Sequence, residues 1–256
     1  MLDTAIEAAK EAGEILKSYF ETSLEKRLKD DKSIVTEADE KAEASIIEII
    51  KTKYPDHGFW GEESGKQNAQ AEYVWVIDPL DGTRNFVNGI PIFATSIGLV
   101  KNNTSVIGVI YNPVTDSMFS AEQGKGAWWN GKTMHVSEQG ADTAMITIGT
   151  SSKAEDKELV HKCFVASKDY VKSVRYLGSA VLELAYLARG GTEGVLNIGT
   201  KKWDYAAGSL LVLEAGGAIT DFQGKPWDFS QNYFIASNGV IHPHLVRLMQ
   251  DIQHGQ

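Results

Sequence analysis

Residues 73–86 read YVWVIDPLDGTRNF. An apolar run ends in two aspartates three residues apart, Asp78 and Asp81, and Gly82 and Thr83 follow directly. Two carboxylates this close repel one another unless a cation sits between them. Oxygen-only donors suit Mg²⁺, Mn²⁺ or Ca²⁺ rather than zinc. Pro79 restricts the backbone between the acids, and Gly82 lets the chain turn and approach a ligand closely. In α/β proteins the C-terminal end of a strand commonly carries ligand chemistry. The dipeptides D-P and D-G also build ordinary solvated turns, so this segment by itself leaves both readings standing.

Two more acidic elements flank it. GFWGEES at 58–64 places Glu62 and Glu63 directly after an apolar stretch, and KWDYAAG at 202–208 places Asp204 at a helix start. Taken singly, the first also reads as an exposed acidic turn. The second also reads as a helix N-cap, worth about 1 kcal/mol.

In this order, GEES, DPLDGTxNF and WDxAAG resemble the motifs of the inositol monophosphatase family, part of a larger group of lithium-sensitive, magnesium-dependent phosphatases. The resemblance runs from VTEAD at 35–39 to EAGG at 214–217 and SNG at 237–239. It implies a Mg²⁺-dependent phosphomonoesterase that hydrolyses a small phosphorylated metabolite, with inositol 1-phosphate as the type substrate, by attack of a metal-activated water. It implies two or three Mg²⁺ ions. Glu62, Asp78, Asp81 and Asp204 would be side-chain ligands, and Leu80 would lend its backbone carbonyl. Glu62 would also orient the attacking water together with Thr83. Asp39 would stand near a weaker third ion or behind the ligands, which is compatible with its local role of closing a capping box with Thr36. Lys29 corresponds to the family's mobile-loop lysine. The resemblance assigns Asp81, Gly82, Thr83, Gly178, Ser179, Asn197 and Asp204 to the substrate side. At 197, members that prefer inositol phosphate carry a glutamate, so the uncharged Asn197 leaves other substrates open: fructose 1,6-bisphosphate, histidinol phosphate or 3′-phosphoadenosine 5′-phosphate. The family also implies a homodimer and a layered α/β (α+β) sandwich like that of fructose-1,6-bisphosphatase. A non-catalytic interaction protein on the same fold is the reading from another class.

Elementary chemistry supports these roles. Phosphate monoesters hydrolyse very slowly unaided, and two metal ions can acidify a water and neutralise the leaving oxygen. Backbone N–H groups at Gly82 and Thr83 would meet phosphate oxygens if they open a helical turn. The histidines at 57, 135, 161, 242, 244 and 254 are scattered, and none is assigned a catalytic role. Cys163, the one cysteine, lies in the apolar stretch CFVAS and reads as a buried structural thiol.

The elements that must position these groups follow from periodicity. Residues 2–20 form an amphipathic helix with Asp3 as N-cap, and 36–53 a second one opened by Thr36. Between them KRLKDDKS reads as a hairpin or loop. Strands are expected at 73–77, 95–101, 105–111 and 117–122, forming an antiparallel meander, with a tight turn at Trp128-Trp129-Asn130-Gly131. From about 144 strands and helices alternate. Strands fall at 144–149, 173–176, 194–198, 218–222 and 234–236. Helices fall at 156–168, 179–189, 204–215 and 242–252, with Ser179 as an N-cap. One unit, 1–256, is expected, with an N-terminal α+β lobe over 1–140 and a C-terminal α/β lobe over 141–256.

Composition narrows the classes. The 256 residues carry a formal charge of -9, a poor basis for binding nucleic acid without sequence preference. No apolar run is long enough to span a membrane, no GxxxxGK[ST] loop marks a nucleotide-triphosphatase, and one cysteine suits the cytoplasm.

Overall fold

The computed structural model describes residues 1–22, 26–28, 34–151 and 153–254. Lys29 lies outside the described residues, as does most of the KRLKDDKS segment; the flanking strands β1 (Arg27–Leu28) and β2 (Ile34–Val35) pair antiparallel.

Helix α1 (Leu2–Tyr19) buries Ala5, Ala8, Ala12 and Leu16, a stripe at helical spacing. Met1, not Asp3, is its N-cap; Asp3 lies inside the first turn, where its charge still meets the positive end of the helix dipole. Helix α2 (Glu37–Lys53) is capped as its sequence predicts. Ala38 N donates to Thr36 Oγ1 at 3.2 Å, and Thr36 N donates to Asp39 Oδ2 at 2.8 Å.

Eight strands form the first sheet. They are β3 (Gly58–Gly61), β4 (Gly65–Gln67), β5 (Tyr73–Asp81), β6 (Ala94–Lys101), β7 (Thr104–Asn112), β8 (Ser117–Glu122), β9 (Gly126–Trp129) and β10 (Lys132–Thr133). Their spatial order is β10-β9-β8-β7-β6-β5-β3-β4, so β5 to β8 form the expected meander, and β9 and β10, on either side of the expected tight turn, extend it. The Asn130-Gly131 turn joins β9 and β10 with positive φ at both residues, the backbone that two-residue hairpins prefer. Strand β5 runs further than the apolar pattern predicts. A register shift between Asp78 and Asp81 absorbs Pro79, which cannot donate to a regular ladder. Helix α3 (Thr83–Phe86) follows at once.

The second sheet has the order β12-β11-β13-β15-β14, from β11 (Met145–Thr150), β12 (Ser173–Arg175), β13 (Gly194–Ile198), β14 (Ala218–Thr220) and β15 (Tyr233–Ser237). Helices α4 (Ala154–Ala166), α5 (Ala180–Ala188), α6 (Lys202–Glu214) and α7 (His242–His254) complete the chain.

Alternation along the strands sets the layers. Trp75 and Ile77 join α1 and α2 in one core. Val76, between them, joins α5 and α6 in a second core that also takes Val195, Phe234 and Ala236 from the second sheet. Leu196 and Ile235 face the other way, toward α4 and α7. Five layers result: helices, sheet, helices, sheet, helices. Each fully buried Leu, Ile or Phe contributes roughly 1.5–3 kcal/mol. Cys163 is buried in the outermost core, and burial pushes its thiol up to about 12, which leaves it inert.

Helix α6 must lie close on the first sheet to deliver Asp204. Gly108 and Gly98 allow this: a Cβ at Gly108 would stand 2.6 Å from the Ala207 carbonyl oxygen, and one at Gly98 would stand 2.8 Å from Ala206 Cβ. Gly108→Val is therefore expected to destabilise the fold by about 1–3 kcal/mol, lowering the thermal midpoint by roughly 2–4 °C per kcal/mol. Gly140→Ala, where a Cβ meets nothing within 4 Å, should stay within about 0.5 kcal/mol. Thermal unfolding followed by circular dichroism checks both.

Candidate metal centre and active-site cleft

Strands β3 and β5 pair in parallel, with Gly61 opposite Ile77. That register sets the next residues, Glu62 and Asp78, at the same edge of the sheet, and Glu62 N donates to Ile77 O at 3.0 Å. The GEES turn is fixed from α2: the buried Glu43 carboxylate accepts Glu63 N at 2.9 Å and Ser64 N at 2.6 Å. A Cβ at Gly61 would stand 2.5 Å from that carboxylate, so only glycine leaves it room.

Asp78, Asp81 and Asp204 each offer a carboxylate oxygen within one 4.8 Å group. Their positions are fixed locally. Leu80 N donates to Asp78 Oδ1 at 3.0 Å. Asp81 Oδ2 accepts the Ser179 hydroxyl and, at 3.1 Å, Val181 N from the start of α5. Asp204 is the third residue of α6 rather than its N-cap, because the helix opens at Lys202; its Oδ2 accepts Lys201 N at 2.7 Å. Ser96, paired with Asp78 across the sheet, donates to Trp203 O at 3.2 Å and holds the helix start against β6.

The DGTRN turn carries its own geometry. Gly82 has φ +87°, and a Cβ there would stand 2.7 Å from Ile92 O, so glycine is required on both counts. Thr83 Oγ1 donates to Leu80 O at 3.0 Å and reaches Asp39 Oδ1 at 3.4 Å. Asn85 Nδ2 donates to Ile92 O at 2.8 Å and Leu177 O at 2.9 Å, tying this turn to the 177–178 segment.

Crowding and burial act on the acids together. Burial, then the charges of Glu62 and Asp81, raise Asp78 well above the carboxylate range. Burial and then Asp81 and Glu62 do the same to Asp204. Burial pushes Asp81 up to about 6 against the lowering bonds from Ser179 and Val181, and burial pushes Asp39 up to about 6 against those from Thr36. Behind Asp81, burial pushes the fully enclosed Glu183 up to about 8, and its Oε2 has no hydrogen-bond partner among the described residues. A cluster of acids that resists ionisation, with oxygen donors only, has the chemistry of a hard-cation site.

The cluster opens on a cavity of about 440 Å³. Glu62, Asp81, Gly82, Thr83 and Gly178 line it, and so do Arg84, Lys157 and Tyr176. The structure thus brings Glu62, Asp78, Asp81, Gly82, Thr83, Asp39 and Asp204 into one neighbourhood. Two residues expected on the substrate side lie buried beside the cavity. Asn197 is buried in β13 and does not line the cavity: its Nδ2 donates to Asn232 O at 2.9 Å, and its Oδ1 accepts Thr200 Oγ1 at 2.8 Å. It braces the loop before Asp204. Ser179 is likewise buried, with its hydroxyl on Asp81. Sequence reasoning missed Glu43, whose signal was an acid inside the apolar stripe of α2. It also missed Lys157, which nothing local distinguishes from a surface lysine.

Comparison with known proteins agrees with this geometry. The family model described as "Inositol monophosphatase family" matches residues 1–254. The protein named Nus factor SuhB of Escherichia coli (strain K12) is 38% identical over 259 residues, covering 97% of this chain and 94% of its own length. Inositol monophosphatase 1 of Rattus norvegicus is 34% identical over 252 residues, covering 93% and 90%. The crystal structure of extragenic suppressor protein suhB from Bartonella henselae superimposes with a TM-score of 0.92 at 35% identity, covering 97% of each chain.

The raised acids predict a pH signature. Asp39 and Asp81 titrate near 6 in the folded chain and near 4 when unfolded, so the folded state binds more protons. Their contribution to stability is fully present below about pH 4 and is lost as pH rises through about 6. Metal-free protein should melt lower at about pH 7.5 than at about pH 5, by on the order of 5 °C. Millimolar Mg²⁺ should raise the midpoint more at the higher pH, where it does not compete with protons. Equal Mg²⁺ shifts at both pH values in scanning fluorimetry would remove these carboxylates from the metal site.

Proposed function

This chain belongs to the inositol monophosphatase family, and from that premise we propose that it is a Mg²⁺-dependent phosphomonoesterase acting on a small phosphorylated metabolite, with inositol 1-phosphate as the type substrate. The observation that carries this reading is the convergence of Asp78, Asp81 and Asp204 within 4.8 Å at the end of a cavity that also exposes Glu62 and Thr83. Glu62, Asp78, Asp81, Asp204 and the Leu80 carbonyl would hold two or three Mg²⁺ ions. When bound, these ions would acidify a water and neutralise charge on the leaving oxygen.

The chain's own groups do the positioning. Thr83 Oγ1, 3.4 Å from Asp39 Oδ1, would hold a water beside Glu62 and pass its proton to the Asp39 carboxylate. Asp39 keeps Thr83 in register and is itself pinned by Thr36. Gly82 and Thr83 line the cleft, where their backbone N–H groups would donate to phosphate oxygens. The buried Glu43 fixes the turn that carries Glu62. Family likeness further supports a homodimer, and one cysteine in 256 residues suits the cytoplasm.

A second reading has one observation behind it. Relatives at 37–38% identity bear the name Nus factor SuhB, which is not an enzyme name. A chain working only as a non-catalytic interaction protein would keep the fold without turnover.

Phosphate release separates the two. Inositol 1-phosphate, fructose 1,6-bisphosphate, histidinol phosphate and 3′-phosphoadenosine 5′-phosphate would be tested with Mg²⁺ and with EDTA. Release should require Mg²⁺, and Asp81→Asn should lower it by about a thousandfold or more. The metal-free variant should melt at an equal or higher temperature than the parent, by up to about 1 kcal/mol, because one repelling charge is gone. An active Asp81→Asn protein would remove Asp81 from the metal site. Mg²⁺ binding without release from any substrate would favour the interaction protein. Light scattering should give the mass of two chains.

A further inference from the structure

Glu183 is a buried acid that the metal centre does not use. It lies in the first turn of α5 and is 0% exposed. Its neighbours on the helix, Val181, Leu182, Leu184 and Ala185, are all apolar core. Among the described residues no cation forms an ion pair with it, and its Oε2 has no hydrogen-bond partner. A carboxyl group enclosed on these terms is costly, and an apolar side chain would pack at this position without that cost. Its presence calls for a reason.

The reason lies in the one bond that the side chain makes. Glu183 Oε1 accepts Leu177 N at 3.1 Å. At its other end Leu177 is held by its carbonyl, which accepts Asn85 Nδ2 at 2.9 Å. Strand β12 ends at Arg175 and α5 begins at Ala180, so neither a ladder nor a helix fixes residues 176–178. Among the described residues, the two side chains Glu183 and Asn85 supply the hydrogen bonds that reach Leu177. The residues on either side of it, Tyr176 and Gly178, line the cavity.

The surroundings are cut to fit this carboxylate. Gly149, on β11, leaves it room: a Cβ there would stand 3.0 Å from Glu183 Oε2 and 3.3 Å from Ala180 Cβ. Ser179 caps α5 through Leu182 N and reaches Asp81 with its hydroxyl. The helix start is therefore fixed without Glu183, and the bond to Leu177 N serves the segment in front of the helix.

We propose that Glu183 is a positioning residue for the reaction. Through Leu177 N it fixes the 176–178 segment as a wall against which the phosphorylated metabolite is bound, while touching neither substrate nor metal. This rests on the phosphatase reading and adds to it a residue that acts on substrate binding rather than on the metal step.

The test compares Glu183→Gln, Glu183→Leu and Glu183→Asp, using whichever of the four phosphate esters above the parent turns over fastest. Glutamine keeps the accepting oxygen at the same reach. Leucine removes it, and aspartate keeps the charge but is one methylene too short. Glu183→Leu and Glu183→Asp should each raise KM about fivefold to tenfold. Their kcat and the Mg²⁺ concentration for half-maximal rate should stay within about twofold of the parent. Glu183→Gln should stay within about twofold in all three quantities. An unmoved KM in the leucine and aspartate variants would overturn the proposal. So would a glutamine variant as impaired as leucine, or a Mg²⁺ requirement that moves together with KM. Matching thermal midpoints establish that the variants are folded; should Glu183→Leu not fold, the comparison of aspartate with glutamine decides. If the parent releases phosphate from none of the four esters, the phosphatase reading fails separately. Calorimetric titration of inositol 1-phosphate into the Mg²⁺-loaded protein then decides: a Kd weakened about fivefold or more in Glu183→Asp but not in Glu183→Gln supports the positioning role, whereas equal Kd values or no binding reject it.

Discussion

The mutual repulsion of Glu62, Asp78, Asp81 and Asp204 is the constraint around which the rest of this protein is arranged. Burial and the neighbouring acids hold Asp78 and Asp204 well above the carboxylate range: Glu62, Asp81 and Asp204 act on Asp78, and Asp81 and Glu62 act on Asp204. The fold answers with local donors. Leu80 N, Val181 N and Lys201 N each hold one aspartate, and Ser179 adds a hydroxyl to Asp81. These bonds fix geometry without cancelling the charge. A divalent cation bound there would cancel it and so stabilise the cleft.

Delivering the acids to one point is a packing problem. Asp78 and Asp81 arrive on β5, Glu62 beside them through the parallel β3–β5 pair, and Asp204 from a helix more than a hundred residues away. The last depends on small residues. Gly98 and Gly108 on the sheet meet Ala206 and Ala207 on α6 at distances no side chain would allow. The small residues in KWDYAAG are therefore spacers for the aspartate that precedes them. Glu43 and Asp156 do comparable work at the cleft edges. Each is a buried carboxylate that accepts two hydrogen bonds and sits against a glycine, Gly61 or Gly199.

The cavity joins the two halves of the chain. Its acidic wall comes mainly from the first sheet, while Thr150, Ser151, Lys157, Tyr176 and Gly178 come from the second half. Asn85 crosses between them through Leu177 O.

The sequence by itself determined the local features. Spacing in DPLDGT gave the paired aspartates, periodicity gave the helices and the antiparallel meander, and Thr36 and Ser179 announced their caps, because each of these depends on residues within a few positions of one another. Pro79 was legible as a restriction, but not as the cause of a shifted register that carries β5 through Asp81, because the partner strand sets that ladder. Motif resemblance brought Glu62 and Asp204 to the same site before any geometry did. Only the tertiary structure decided that Asn197 bonds Thr200 and Asn232, that Ser179 serves Asp81, and that Lys157 lines the same cavity as Glu62 and Asp81. Side-chain surroundings at these positions come from chain segments distant in sequence, and a local pattern carries no information about which segment will pack there.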